Sequence, residues 1–367
     1  MRRRTLFKLA GVSALGCLPL LAKTESQEKV NQSQVLQKRE FSVSLEHKIL
    51  EQGKCNLWIP LPQSTSYQYL TSNIAWSGNY SNIYISNTQI PTLFAQFDAV
   101  KEPTLNINFN VTTIERTTDF KEVQKKFNPK AKIPDEVKPY LAATEHIQTD
   151  GIVAQTARNI LKDAKSQKND DLQKAKAIFE WVAINMQRDE SILGCGIGDA
   201  KQILESKKLY GKCTDISSVF VALCRSVGIP AREIFGIRLG QSRFSNAMGS
   251  AKDKVANITG GQHCRAEFYV RGYGWIPCDP GDVAKVKLAE KLTNNDSKII
   301  NLRKYLFGNW EMCWLGYNTA RDFILTPTPA QIPLNNFGYP YGEVDENVLD
   351  YYDAKEFSYS YRSIEKS

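Results

Sequence analysis

The chain has 367 residues, long enough for two domains of ordinary size. Hydrophobic residues make up 42% and charged residues 23%, a globular balance that excludes a disordered or collagen-like chain. The net charge of +8 is partly concentrated in Arg2, Arg3, Arg4 and Lys8, and no basic run or basic helix face follows that would suit nucleic acid.

Those basic residues precede the apolar stretch Leu9–Ala22, which is short for a bilayer span. Residues 1–22 therefore read as an export signal. Arg3-Arg4-Thr5-Leu6-Phe7-Lys8 is similar to the twin-arginine type, and the protein is expected in the periplasm or otherwise exported. Lipid attachment at Cys17 is a weaker alternative. No later apolar run is long enough to span a membrane, so no integral span is expected after signal removal.

From Phe41 the pattern alternates. Phe41, Val43 and Leu45 interleave with Ser42, Ser44 and Glu46, and Leu105, Ile107, Phe109 and Val111 interleave with asparagines. Period two is the mark of half-buried strands, and residues 40–116 read as a small β-sandwich. Residues 117–150, charged and broken by Pro129, Pro134 and Pro139, read as a connector.

From residue 151 the period turns helical. Leu172, Ala175, Phe179, Val182 and Met186 fall on one helix face. The glycine-rich Gly194-Cys195-Gly196-Ile197-Gly198 follows. Ile216, Phe220, Leu223 and Val227 mark a second helix, ending at Gly228 before Pro230. Strands are expected over 232–239, 263–270 and 273–279, giving a second domain of helices and strands over 151–298, the candidate catalytic domain once the residues below are considered. Residues 299–367, rich in aromatics such as Trp310, Trp314, Tyr339 and Tyr341, read as an extension that packs over the core or lines a cleft.

Eight cysteines and three histidines are present, with no CxxC pair, so neither metal nor other cofactor is expected. Cys213 begins the second helix, where unsatisfied N–H groups favour a thiolate. A thiolate needs a base, and the base needs a carboxylate to orient it. A hairpin turning at Arg271-Gly272 supplies both by setting His263 across from Asp279. The same register sets Cys264 across from Cys278, as a cross-strand disulfide or as two reduced thiols. Cys195 is an alternative partner for Cys264. Glu267 is expected to pair with Arg232 or Arg238. The segment Gln241–Gly261 reads equally as a lid or as a disordered insertion.

Four blocks resemble the transglutaminase-like superfamily, a branch of the papain-like thiol enzymes. They are Tyr210-Gly211-Lys212-Cys213-Thr214-Asp215, Gly228-Ile229-Pro230-Ala231-Arg232, His263-Cys264-Arg265-Ala266-Glu267-Phe268 and Gly274-Trp275-Ile276-Pro277-Cys278-Asp279-Pro280. The resemblance covers about residues 150–285 and includes the preceding helix with Trp181. It implies an α+β fold: a helix bearing the cysteine, packed on an antiparallel sheet bearing the histidine and the aspartate. It also implies an N-terminal β region of the kind found in exported members. By resemblance Cys213, His263 and Asp279 take the triad roles. Arg265 stands where many members carry an aromatic, a departure expected to bear on substrate preference. The implied reaction is cleavage of a peptide or isopeptide, including envelope peptides, through a thioester, with Cys213 N–H a candidate oxyanion donor. Protein crosslinking and an inert binding module are the alternatives. No oligomeric state is implied.

Overall fold

The computed structural model describes residues 37–366 except 88, 99, 166–169, 331–332 and 356. Residues 1–22, read above as an export signal, and Cys17 within them lie outside the described residues.

The alternating segments form the expected strands. Lys38–Lys48 pairs antiparallel with Thr104–Ile114, setting Phe41 opposite Val111, Val43 opposite Phe109 and Leu45 opposite Ile107. These side chains are all buried on one face, while the polar residues between them face away. Directly opposed apolar pairs of this kind stabilise a sheet. A second sheet packs against the first through Leu57, Ile59, Leu93 and Phe97.

Both sheets take strands from far along the chain. Tyr359–Glu365 lies beside Lys38–Lys48, and Tyr341–Val344 beside Cys55–Pro60. Val255–Asn257, inside the segment 241–261, pairs with the far side of Tyr359–Glu365. That segment is therefore an ordered bridge between the two regions, with Ser242, Ser245 and Met248 buried. Residues 299–367 do more than cover a core, since they complete sheets in both halves. The described residues make one compact unit.

The other half places helices on an antiparallel sheet ordered Gly274–Cys278, Gln262–Val270, Ala231–Arg238, Trp314–Asn318. The helix Cys213–Ser226 lies on this sheet and is buried on every side from Cys213 to Arg225, as a central helix must be. Phe220 sits edge-on to Phe179 and Phe268, and Phe268 stacks on Phe307 at 5.5 Å. Emptying one such aromatic site typically costs about 3–5 kcal/mol. The helix Asp171–Asn185 starts at Asp170, whose side chain accepts from Gln173 N at 3.0 Å. The α+β class and the antiparallel core are as expected from the sequence.

The hairpin register differs from expectation by two residues. Val270 pairs with Gly274 and Ala266 with Cys278, because the turn holds three residues, Arg271–Tyr273. Gly272 takes φ +85°, a conformation that favours glycine. Beyond the hairpin, the chain does not stay extended. Asp279 caps a helix, Pro280–Ala289, with Pro280 at its first position.

Candidate active site

Cys213 is the first residue of its helix, and three features fix it there. Asp215 accepts from Lys212 N and from Gly198 N, both at 2.8 Å. Thr214 N donates to the Cys195 carbonyl at 2.9 Å. These bonds tie the glycine-rich loop to the helix start. At Gly196, with φ +90°, an added Cβ would lie 1.9 Å from the Asp215 carboxylate, so the loop depends on glycine for its approach. The Cys213 amide itself makes no hydrogen bond among the described residues, which is common at a helix start and leaves a donor free.

His263 is the second residue of the strand Gln262–Val270 and is buried. Its Nε2 lies 2.8 Å from Asp279 Oδ2, leaving Nδ1 for another partner. The two residues meet diagonally, since a shift of two residues keeps both on one sheet face. Cys213, His263, Cys195 and Gln262 line one cavity of about 360 Å³.

A second carboxylate stands beside the first. Asp282 Oδ2 lies 3.5 Å from His263 Nε2, and its amide donates to Asp279 Oδ1 at 2.9 Å. Two guanidinium groups balance the two acids. Arg238 contacts Asp282 at 2.5 and 3.1 Å, and Arg265 Nε lies 3.5 Å from Asp279 Oδ2. Arg265 is fully buried, with Trp314 beneath its guanidinium at 4.8 Å. It thus acts on the acid pair. Glu267 pairs with Arg116 and Arg232, each at 2.5 Å, whereas Arg238 belongs to Asp282.

The C-terminal aromatics hold the backbone on either side of the pair. Trp314 Nε1 donates to the His263 carbonyl at 2.9 Å, and Trp310 Nε1 donates to the Cys278 carbonyl at 3.0 Å. Opposite His263 stands Gly236, where an added Cβ would lie 2.1 Å from the Leu315 carbonyl oxygen.

Three thiols cluster here. Cys195 accepts from Tyr339 Oη at 3.0 Å and donates to the Gln262 carbonyl at 3.4 Å, and Cys264 donates to Thr214 Oγ1 at 3.6 Å. Cys278 instead faces Ala266 and joins the helical core. All seven described cysteines are free, so the cross-strand Cys264–Cys278 bridge is absent, and Cys195 and Cys264 are unbridged as well.

Electrostatics separate these thiols. Hydrogen bonding from Cys195 and then Cys264, together with the charge of His263, holds the Cys213 thiol well below its usual range despite burial. Its hydrogen bond to Cys213, with burial, pushes Cys195 well up, and burial does the same to Cys264. Burial and the Arg238 charge oppose protonation of His263, but Asp282 and Asp279 outweigh both and raise it. Burial and the Asp282 charge raise Asp279. For Asp282 burial is overcome by Arg238, and its acid stays well below the usual carboxylate range.

His263, Asp279 and Asp282 bring three donor atoms within 4.8 Å, as do Glu145, His146 and Asp322. In the first group the guanidinium groups already answer the carboxylates. Sequence reasoning missed Gln262, Arg238, Asp282 and Lys285. Asp279, Asp282 and Lys285 recur every third residue, a spacing that makes each a neighbour of the next around a helix.

The family model described as Transglutaminase-like superfamily matches residues 155–280. An uncharacterized protein from Haemophilus influenzae is 48% identical over 325 residues, covering 85% of this chain and 86% of that one. The fold is similar to that of a candidate cysteine protease from Cytophaga hutchinsonii, with 16% identity, TM-score 0.49, and 67% and 77% of the two chains covered. The periplasmic domain of TgpA from Pseudomonas aeruginosa is more distant, with 12% identity, TM-score 0.34, and 72% and 92% covered.

Proposed function

We propose that this chain, which belongs to the transglutaminase-like superfamily, is an exported thiol enzyme that hydrolyses amide bonds in peptides through a thioester. The observation that carries this reading is the 2.8 Å His263–Asp279 contact in the wall of a cavity shared with the helix-tip thiol of Cys213.

In this reading the Cys213 thiolate attacks the substrate carbonyl, forming the S–C bond and a tetrahedral oxyanion. Two donors suit that oxyanion. One is the unengaged Cys213 amide. The other is Gln262 Nε2, which makes no close hydrogen bond and sits beside the Tyr359 hydroxyl, both residues lining the cavity. Collapse breaks the C–N bond while imidazolium His263 gives its proton to the leaving amine. Water then attacks the thioester and gives a proton to His263. The acid leaves, and the thiolate–imidazolium pair is restored. Asp279 holds the ring and stabilises its charged form throughout. A cavity with a largely polar wall, including Arg188, Glu190 and Lys212, admits water, which favours hydrolysis over transfer to an amine. Export is supported by the arginine-rich N-terminus.

Labelling with iodoacetamide tests the thiol chemistry. Selective modification of Cys213, lost in His263→Ala, is the expected result. Uniformly unreactive thiols would leave only a binding module. Cys213-dependent incorporation of dansylcadaverine into casein would replace hydrolysis with crosslinking.

A further inference from the structure

The cavity that holds Cys213 carries more positive charge than its own carboxylates answer. Arg188 is held by Glu190 at 2.6 and 3.2 Å, and Lys212 reaches the same carboxylate at 3.6 Å. Arg238 is occupied by Asp282. Lys285 lines the cavity too, yet it makes no hydrogen bond and no ion pair among the described residues. It stands one helical turn past Asp282. It also borders an adjoining cavity of about 430 Å³ beside Gly249, Asn257 and Gly260. This lysine therefore marks the place where the space around the thiol opens toward a second chamber.

A half-buried ammonium without an anion is costly, and the cost falls when an anion arrives. Burial, then the Arg238 charge, lower the Lys285 pKa to about 8, and the charges of Asp282 and Cys213 offset this only in part. An arriving carboxylate would reverse that effect by favouring the charged form. The adjoining chamber gives room for the residue that bears the carboxylate.

We propose that Lys285 anchors a substrate carboxylate, so that the enzyme acts on peptides carrying a free carboxylate close to the scissile amide. This deepens the thiol-hydrolase reading and rests on it. An acidic side chain and a terminal carboxylate share the required chemistry.

Two alkylating reagents of nearly equal size separate the claims. Iodoacetate carries a carboxylate and iodoacetamide does not, and each forms an S–C bond to Cys213 with loss of iodide. The quantity to measure is the ratio of their rates at Cys213, by mass spectrometry of the full-length protein at pH 7. In Lys285→Met the iodoacetate-to-iodoacetamide ratio should fall roughly tenfold, the factor that 1.4 kcal/mol represents, and Lys285→Arg should restore it. An unchanged ratio would overturn the carboxylate anchor while leaving the thiol enzyme standing. Equal loss of both rates would also overturn it, since Lys285 would then act on the thiol and not on the anion. Failure of iodoacetate alone to label Cys213 in the unmodified protein would likewise overturn the anchor, whereas failure of both reagents would overturn the enzymatic reading itself.

Discussion

Asp282 and Asp279 address the same nitrogen of His263, at 3.5 and 2.8 Å, from positions three residues apart around the start of one helix. The two acids are not equivalent. Asp279 makes the close contact, whereas Asp282 is tied to Arg238. Asp279→Asn should lower kcat/KM by roughly 10³–10⁴-fold with little change in fold. Asp282→Asn should destabilise the protein by about 3–5 kcal/mol, because it leaves Arg238 buried without its partner. It should also lower the His263 pKa. Replacing Arg238 with Met in the same background should recover much of the stability. Urea unfolding of the single and double variants checks this.

The pH dependence of the proposed reaction follows from opposite shifts in Cys213 and His263. The Cys213 thiol lies below its usual range and His263 above its own. The thiolate is lost as pH falls through the lowered thiol value, and the imidazolium proton is lost as pH rises through the raised histidine value. Activity should form a bell between them. Iodoacetamide should still modify Cys213 at pH 6, where an ordinary cysteine of pKa about 8.5 is almost wholly protonated. A labelling rate that follows an ordinary thiol would remove the ion pair from the account.

Gln262→Ala tests the second oxyanion donor. A fall in kcat of about 10²–10³-fold with KM nearly constant is expected if the amide acts on the tetrahedral state. Thermal stability should fall little, because the lost Nε2 makes no close hydrogen bond. An equal change in KM alone would make it a substrate contact.

A histidine remote from the site governs acid sensitivity. His47 is buried between the Tyr361 hydroxyl at 2.7 Å and the Leu105 carbonyl at 3.2 Å. Burial lowers its pKa to about 4, with the Leu105 bond opposing. The unfolded chain takes up this proton near pH 6.5, before the native protein does. Stability should therefore fall between pH 6.5 and about 4, by roughly 3 kcal/mol in all, and the loss should level off below that window. Denaturant melts of His47→Gln should show a shallower slope across it.

Much of this architecture was legible from local pattern. Phe41, Val43 and Leu45 declared their strand because one buried face imposes period two. The helix bearing Cys213 and the strand bearing His263 were visible in the same way. The hairpin register was not, because Gly272 and Gly274 both follow Arg271 and the true turn runs on to Tyr273, which shifts the pairing by two residues. An even slip preserves sheet faces, so His263 and Asp279 still meet, whereas Cys264 and Cys278 join different clusters. The helix after Asp279 was hidden because Asp279-Pro280 looked like the end of a strand when it is a cap. The partner of Glu267 was only half legible: Arg232 lies on the neighbouring strand, but Arg116 reaches it from the sandwich side. No local periodicity reports such long-range pairing.

The strand Tyr359–Glu365 has a consequence for how the molecule comes into being. It is wedged between Lys38–Lys48 and Val255–Asn257, segments that leave the ribosome long before it. Until it arrives, Phe41, Val43 and Leu45 sit beside an open seam whose unpaired backbone invites association with other chains. Acquisition of the native state should thus be slow and should finish late in synthesis. A nascent chain arrested before Tyr359 should be trapped by holdase chaperones and cut readily by protease, with no foldable half to release.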